Sequence, residues 1–484
     1  MRRRDFTSLL AAAPAALGEE QAAQPREQTA EKRKPNIVLI TADHLRWNHL
    51  GVNGNPYIHT PRMDALAKGG ARFTMLQTVG VACAPNRASL FTGRYPHSHG
   101  LMENGVKMPE TEVTLTRVLR ENGYYAGQMG KLHFWPHSRR NHREPFPPYD
   151  FNQLRLADEP GCYDDAFGLW LDAQGPEVRR KARVAMPADR GKFDHYVFAG
   201  DEKTTFSHWV AGETVRFINE VKDRPFFVHA GFYAPHPPLN PPAAMLELYK
   251  NADLPPRVYR DDEAQFAPPS LKKPLTALRG TPESLWTDYR RYFYAMVSEL
   301  DRNVGRILDT LDSTGIRNNT IVVLTSDHGD YLGDHNLTGK SDFPYDGAMR
   351  VPLVFRGPGI PEGAVCDKLC EHVDTMPTIL DLLGIPNTKG NQGVSLKSAM
   401  SGGAAKDATF MEGRHNRIVR TPSALYAYWR NGDECLFDLT KDPNQLRNIA
   451  DERGAKTLLD HMRRLMLGRT LEIVDPLPER IAPY

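Results

Sequence analysis

Two continuous apolar segments constrain the fold of this chain more than any other feature. They lie within Pro35–His44 and Thr320–Asp330, and each passes from an apolar run into the dipeptide Asp-His. Continuous apolarity predicts strands buried on both faces, as in a parallel sheet, whose ligands bind at the carboxyl ends of the strands. A strand-end Asp often only caps a turn, but two buried strands ending in Asp-His are hard to explain as surface polarity. The residues at these two predicted strand ends are Asp43, His44, Asp327 and His328.

Helix and strand patterns alternate up to about residue 385, which predicts an α/β fold. The clearest helix is the segment from Trp286 to Leu311, where apolar residues recur at spacings of three and four. Residues 137–269 are otherwise irregular, apart from a predicted helix over Thr204–Lys222 and a strand over Pro225–Phe232. Long loops of this kind often form the wall of a site in a large enzyme.

Two further predicted strand ends carry basic residues. Gly130-Lys131-Leu132-His133 follows a strand over Tyr124–Met129, and an extended backbone would point Lys131 and His133 to one side. His236 lies between prolines after the strand that ends at Phe232, and Lys340 follows the second Asp-His segment. Such residues are often solvated surface groups, but their place at strand ends favours a functional role.

The pattern of predicted strands and helices changes after about residue 387. Two strand-like segments flank Asn431-Gly432, a strong hairpin turn, and a helix is predicted over about Ala455–Leu467. We therefore predict an export signal with a leader over residues 1–34, a catalytic α/β domain over 35–386, and a smaller domain over 387–484 with an antiparallel sheet and a helix.

Composition excludes some classes of function. The chain has 484 residues and a formal net charge of +2, which gives no argument for nucleic acid as a partner.

The N-terminal segment predicts export. Arg2-Arg3-Arg4-Asp5-Phe6 precedes a short apolar run, which predicts a twin-arginine-like signal and a periplasmic location. A disordered basic tail is the alternative. The apolar run is too short for a membrane span, and we predict no other.

The segment from Cys83 to Arg94 has the strongest pattern for chemistry. Pro85 suits the first turn of a helix and Gly93 its end. Cys83 would then lie just before a helix N-terminus, where backbone N–H groups favour an anion. Arg87 would follow one turn later, pointing toward Cys83, and its fork suits a tetrahedral oxyanion. A buried structural cysteine beside a surface arginine is the alternative.

The sequence Cys83-Ala84-Pro85-Asn86-Arg87, followed by Leu90-Phe91-Thr92-Gly93-Arg94, resembles the signature of the type I sulfatases of the alkaline phosphatase superfamily. The resemblance extends in order over about Lys34–Ala450, and Asn86 replaces the more usual small residue. It implies a large, doubly wound, mostly parallel sheet flanked by helices, with a smaller C-terminal α+β domain. It also implies that a maturing enzyme, such as the formylglycine-generating enzyme, oxidises Cys83 to formylglycine, the nucleophile.

The resemblance further implies roles for the strand-end residues. Arg87, Lys131 and Lys340 would bind the sulfate, while His133 and His236 would move protons to expel the sulfate and the alcohol. The implied metal ligands are Asp43, Asp327 and His328, with His44 in a position where the family commonly has a carboxylate or amide. Calcium is the implied cation, with Mg²⁺ or Mn²⁺ as alternatives. Two possible histidine ligands shift the preference slightly toward manganese or zinc.

A sulfated glycan is the predicted substrate of this sulfatase-like chain. Two basic clusters could bind a sugar carboxylate or a second sulfate of the glycan, although solvated surface charge explains these clusters equally well. The alternatives are a phosphomonoester, phosphodiester or phosphonate hydrolase of the same superfamily, and an inactive glycan-binding protein with unmodified Cys83. Cys366 and Cys370 could form a disulfide, which spacing cannot decide. The two clusters are Arg139, Arg140, His142 and Arg143, and Arg414, His415 and Arg417.

Overall fold

The computed structural model describes residues 33–80, 82–136, 146–159, 165–182 and 193–478. The predicted export signal, Cys162 and the first basic cluster lie outside these ranges. The strands are β1 (Asn36–Ala42), β2 (Ala71–Gln77), β3 (Tyr125–Gly130), β4 (Gln153–Leu156), β5 (Phe226–Gly231), β6 (Thr320–Ser326), β7 (Arg350–Arg356), β8 (Ala364–Glu371), β9 (Thr409–Glu412), β10 (Asn416–Arg420), β11 (Ala424–Trp429) and β12 (Glu434–Asp438).

Helices occur between the strands throughout the described residues. They are α1 (Pro61–Lys68), α2 (Cys83–Thr92), α3 (Pro96–His99), α4 (Leu115–Glu121), α5 (Ala166–Gln174), α6 (Pro176–Ala182), α7 (Phe206–Val221), α8 (Ala243–Glu247), α9 (Glu263–Phe266), α10 (Pro269–Ala277), α11 (Glu283–Ser313), α12 (Asp346–Met349), α13 (Thr375–Leu383) and α14 (Lys456–Glu472).

The larger sheet has the strand order β4-β3-β5-β1-β6-β7-β2-β8. Strands β4, β3, β5, β1 and β6 are parallel neighbours, and β2 is parallel to β8. Strand β7 runs antiparallel to both β6 and β2, so it alone opposes the common direction among the described strands. The carboxyl ends of the other strands therefore meet at one edge, with β1 and β6 side by side at the centre.

Both faces of the larger sheet are covered, as a continuous apolar strand requires. Val38 and Ile40 of β1 pack into a core with residues of α7 and α11, while Ile37 and Leu39 pack into a second core with α2 and α13. All seven residues of β1 are buried. The α/β prediction is confirmed: a mostly parallel sheet lies between two layers of helices.

Strands β9 to β12 form a separate antiparallel sheet in the order β12-β11-β10-β9. Asn431-Gly432 connects β11 to β12, as the hairpin pattern predicted, and α14 contacts β10 and β11. The predicted fold of this region is confirmed. The domain boundaries themselves stay a prediction, because the described residues from Lys34 onward form one compact unit.

One sequence-based expectation about local structure is wrong, and one question that the sequence left open is answered. The region 137–269 contains further helices, of which α5 begins at an Asp165 cap that accepts from Gly168 N. Cys366 and Cys370 are free buried thiols on β8, where a separation of four residues places them about 13 Å apart. That separation exceeds the reach of a disulfide.

Candidate active site

Four strands and one helix deliver the predicted site residues to the carboxyl edge of the larger sheet. Asp43 follows β1, Asp327 follows β6 and Lys131 follows β3, while His236 lies five residues beyond the end of β5. Helix α2 begins at Cys83, so the N-terminus of this helix brings Cys83 to the same edge. The fold thus brings residues together that are as much as 296 positions apart in the sequence.

The turn that presents Cys83 is held by Asn86, which is fully buried. Its side-chain oxygen accepts from Val79 N at 3.1 Å and Gly80 N at 2.8 Å, and its amide donates to Gly80 O at 3.0 Å. Gly93 ends the helix in the left-handed conformation, at φ 65°. The side-chain amide therefore ties the loop after β2 to the first turn of α2, a contact that a small residue could not make.

Cys83 lies at the centre of the cluster and is 1% exposed. Its sulfur is 2.8 Å from Lys340 Nζ, 3.2 Å from His328 Nε2 and 3.7 Å from Asp43 Oδ1. Burial and Asp43 oppose ionisation of the thiol, but Lys340 and the other nearby cations outweigh them and lower its pKa from 9.0 to about 5. The sulfur therefore occupies a place where the structure favours an anion.

In the carboxylates of Asp43 and Asp327, the two oxygens of each group have different partners. Lys131 Nζ forms an ion pair with Asp43 Oδ2 at 2.7 Å, and Arg87 Nε donates to Asp327 Oδ2 at 2.8 Å. The Oδ1 atoms instead face His328 Nε2, at 3.4 Å from Asp43 and 3.6 Å from Asp327. One oxygen of each carboxylate is thereby directed to the centre of the cluster.

Arg87 is as deeply buried as Cys83, but its hydrogen bonds go elsewhere. Besides Asp327, its guanidinium donates to Thr41 Oγ1 at 3.3 Å and to the carbonyl of Lys131 at 3.0 Å. Burial opposes the charge, but Asp327 and Asp43 outweigh burial and raise the pKa of Arg87. Arg87 thus joins α2 to the ends of β1, β3 and β6.

His44 is held by partners on both sides of its ring. Lys340 Nζ, which can only donate, is 2.9 Å from Nε2, so Nδ1 carries the proton and donates to Asp330 Oδ2 at 2.7 Å. Asp330 is fully buried, and its other oxygen accepts from Leu332 N and Gly339 N. Sequence reasoning overlooked Asp330, although its place two residues after His328 was a usable signal.

The remaining two histidines lie on loops at the same edge. His236 Nδ1 donates to Pro237 O at 2.5 Å, and burial, aided by His44, lowers its pKa well below the ordinary value. The backbone N–H groups of Leu132 and His133 both donate to Asp158 Oδ1 at 2.8 Å. The expectation of an extended backbone here is wrong, since His133 has a φ of 62°.

Both arginines of the second basic cluster are already paired with acids. Arg414 forms an ion pair with Glu103, and Arg417 lies 3.4 Å from Glu412 while donating to Gly413 O at 2.7 Å. These contacts leave less positive charge for a substrate than the sequence suggested.

Among the helices in the described residues, none combines the length and apolarity that crossing a membrane requires.

Two family models match this chain. The family model for sulfatases matches residues 35–385, and the model for the C-terminal region of N-sulphoglucosamine sulphohydrolase matches residues 333–470. The chain belongs to the sulfatase family. The resemblance that the Cys83 segment suggested is therefore confirmed, and the protein is a sulfuric ester hydrolase.

Sulfatase relatives match over most of their length. An arylsulfatase of Clostridium perfringens is 29% identical, covering 90% of this chain and 94% of its own. A choline-sulfatase of Rhizobium meliloti is 30% identical over 86% and 83%, and an N-acetylglucosamine-6-O-sulfatase of Bacteroides thetaiotaomicron is 25% identical over 90% and 86%. The phosphonate monoester hydrolase of Agrobacterium radiobacter superposes with a TM-score of 0.82 at 26% identity, over 92% of this chain and 97% of its own.

The donor atoms of this sulfatase fit a divalent cation. One group comprises Asp43, Cys83, Asp327 and His328, and a second comprises Asp43, His44 and His236; the donor atoms in each lie within 4.8 Å of one another. Two carboxylate oxygens suit a hard cation such as Ca²⁺. The Oδ1 atoms that face the centre are the ones the cationic side chains leave uncovered, so these residues could hold the metal.

Proposed function

We propose that this protein hydrolyses the sulfate monoesters of a sulfated glycan, with formylglycine made from Cys83 by a maturing enzyme as its nucleophile. The observation that carries the proposal is the position of Cys83, whose sulfur lies within 3.7 Å of a lysine, a histidine and a carboxylate. The sulfur of the unmodified protein occupies the place where the mature protein would carry an oxygen of hydrated formylglycine. Formylglycine would supply the attacking hydroxyl, and a divalent cation, with calcium as the expected ion, would polarise the sulfate oxygens.

Metal binding is assigned to Asp43, Asp327 and His328, with His44 as a further ligand. The proton on His44 Nδ1 is fixed by Asp330, which leaves the Nε2 lone pair directed toward the cluster. His328 Nδ1 likewise donates to Gly329 O at 2.8 Å, which leaves its Nε2 as the donor atom. Both rings are thus oriented for ligation by hydrogen bonds on their far sides.

Sulfate binding is assigned to Arg87, Lys131 and Lys340. Lys340 Nζ donates to Cys83 Sγ at 2.8 Å, so it would face the group being transferred. Lys131 is 1% exposed and is held against Asp43. These fixed charges offset the repulsion between an anionic sulfate and an incoming nucleophile, without the cost of reorganising water.

Proton transfer is assigned to His133 and His236. Because Nδ1 of His236 already donates to Pro237 O, its Nε2 is the atom that would deliver a proton to the leaving alcohol. Burial and nearby cations hold the pKa of His236 low, and an anionic sulfate would raise it again. His133 would take a proton from the remaining hydroxyl, so that sulfate leaves and the aldehyde returns.

The glycan substrate is supported by the relative named as an N-acetylglucosamine-6-O-sulfatase and by the predicted export of this chain to the periplasm. The choline-sulfatase relative acts on another kind of alcohol, so substrate screening must include both classes. A second candidate activity, phosphonate monoester hydrolysis, is favoured by the close superposition on a phosphonate monoester hydrolase.

The test has two parts. A mass spectrum of the tryptic peptide 73–87, from protein made in its native host, should show an aldehyde in place of the Cys83 thiol. Rates on an aryl sulfate, an aryl phosphate and an aryl phosphonate, followed by sulfated mono- and oligosaccharides, should then be highest for a sulfate ester. A thiol throughout would overturn the formylglycine assignment, and faster phosphonate turnover would favour the second candidate.

A further inference from the structure

The cluster around Cys83 brings four metal-donor atoms together while the cysteine is still a thiol, a state that the proposed reaction does not use. Four donor atoms converge there: Cys83 Sγ, His328 Nε2 and one oxygen each from Asp43 and Asp327. The separations are 3.2 Å from sulfur to nitrogen, 3.7 Å from sulfur to Asp43 Oδ1, and 3.4 and 3.6 Å from nitrogen to the two Oδ1 atoms. Tetrahedral zinc, with bonds of about 2.0–2.3 Å, places its ligand atoms about 3.3–3.8 Å apart.

We propose that the unmodified protein, which still carries the Cys83 thiol, is a zinc-binding protein that holds one Zn²⁺ in a closed tetrahedral site of one sulfur, one nitrogen and two oxygens. Binding would release the thiol proton to solvent and form a zinc–thiolate bond. Thiolate is a soft ligand and selects zinc over calcium, which prefers six to eight oxygen ligands. Oxidation of Cys83 would remove the sulfur and so change the class of metal that the site takes.

The surroundings of the four donors are those of a built metal site. His328 Nδ1 donates to the carbonyl of Gly329, which fixes the ring with Nε2 inward. The outer oxygens of the two carboxylates are held by Arg87 and Lys131, at 2.8 and 2.7 Å. Lys340 would donate an N–H to the zinc-bound thiolate. Such outer contacts orient ligands and typically contribute 10–100-fold to metal affinity.

This inference rests on the proposed function only in taking Cys83 as the residue that is modified. It concerns the protein before modification and needs no sulfatase activity, so each can fail without the other. An inactive protein in which Cys83 is never modified would keep the zinc site, whereas a fully matured sulfatase would lack it.

The experiment uses the full chain produced without a maturing enzyme and loaded with Co²⁺ or Zn²⁺. We expect one bound metal by native mass spectrometry. With Co²⁺, we expect a sulfur-to-metal charge-transfer band in the ultraviolet together with the intense visible bands of tetrahedral cobalt. Zinc should displace the cobalt and abolish both signals.

Two cysteine variants make the test specific. Cys83→Ser should abolish the charge-transfer band and weaken zinc binding by more than about 100-fold, because losing a ligand exceeds losing an outer contact. Cys435→Ser removes another buried thiol, which lies on β12, and should leave the band intact. Circular dichroism would establish that both variants are folded. A band that persists in Cys83→Ser, or a wild-type protein that binds metal without any thiolate band, would overturn the proposal, as would fully modified protein with the same band.

Discussion

The two Asp-His dipeptides are alike in sequence and differ in what surrounds their imidazoles. At the end of β6, His328 turns Nε2 toward two carboxylates and the Cys83 sulfur, and its far side bonds only a backbone carbonyl. At the end of β1, His44 turns Nε2 toward Lys340, and its far side bonds the buried carboxylate of Asp330. The same dipeptide thus gives one imidazole among anions and another beside a cation.

The electrostatic consequence is opposite for the two rings. Burial disfavours the charged form of His328, but Asp327 and Cys83 together outweigh burial and Lys340 and raise its pKa. Burial lowers the pKa of His44 well below its ordinary value, and Lys340 adds to that effect. A repeated motif therefore does not imply a repeated environment: His328 lies among two carboxylates and the Cys83 sulfur, whereas His44 is a neutral ring fixed by the carboxylate of Asp330.

The same substitution at the two positions should give the largest difference. We expect His328→Gln to lower kcat/KM of the matured enzyme about 10³-fold, because it removes a central donor from the charged cluster. His44→Gln should cost only about 10–100-fold, since Nε2 of His44 contacts Lys340 instead of the two carboxylates and the Cys83 sulfur. Steady-state kinetics on an aryl sulfate measures both, with the formylglycine content determined by mass spectrometry. Equal losses would contradict the distinction between the two rings.

Asp330→Asn should have the next largest effect. We expect metal affinity to fall about 10–100-fold, because the amide no longer fixes the Nδ1 proton of His44. Asp342→Asn, on the partly buried segment after Lys340, is the matched control and should bind metal as wild type does. Calorimetric titration of the metal measures the difference. In a His44→Gln background the Asp330 substitution should cost little; a full loss there would show that Asp330 acts on the fold instead.

The contrast between His44 and His328 also marks the limit of what the sequence could predict. Apolar runs identified β1 and β6 and their carboxyl ends, because burial on both faces leaves a local signal. The contact between His44 and Asp330 spans 286 positions and depends on the register of β1 beside β6, which no local pattern encodes. The short helices of region 137–269 were overlooked for a local reason: α6 begins at Pro176 and α8 follows Pro242, so composition there favoured irregular structure.

The signature segment was the part of the site most fully predicted. The helix from Cys83 and its end at Gly93 follow from local rules, and the family resemblance gave the rest of the expected residues. What those rules left out were the partners: that Asn86 closes the turn, that Arg87 bonds Asp327, and that Lys131 pairs with Asp43. Each of these depends on which strand lies next to which.

The Cys83 thiol offers a smaller but sharper test of the anionic surroundings of His328. In unmodified, metal-free protein we expect thiolate absorbance to disappear with a midpoint near pH 5, against 9.0 for an ordinary thiol. Lys340→Gln should move the midpoint upward, because it removes the nearest cation. Ultraviolet difference spectra against Cys83→Ser measure the midpoint. A wild-type midpoint above pH 8 would show that burial and Asp43 dominate instead.

The smallest expected effect is on stability, and its sign separates the two histidines. The folded pKa of His328 is raised, so its ionisation stabilises the metal-free protein below the unfolded pKa, and that contribution is lost as pH rises through the folded pKa. The folded pKa of His44 is lowered, so the unfolded chain gains a proton first as pH falls below about 6.5, and stability declines. Denaturant unfolding of wild type, His328→Gln and His44→Gln at a series of pH values from 5 to 8 measures this. The wild-type advantage over His328→Gln should shrink as pH rises, and that over His44→Gln should grow; parallel trends would mean that both rings share one environment.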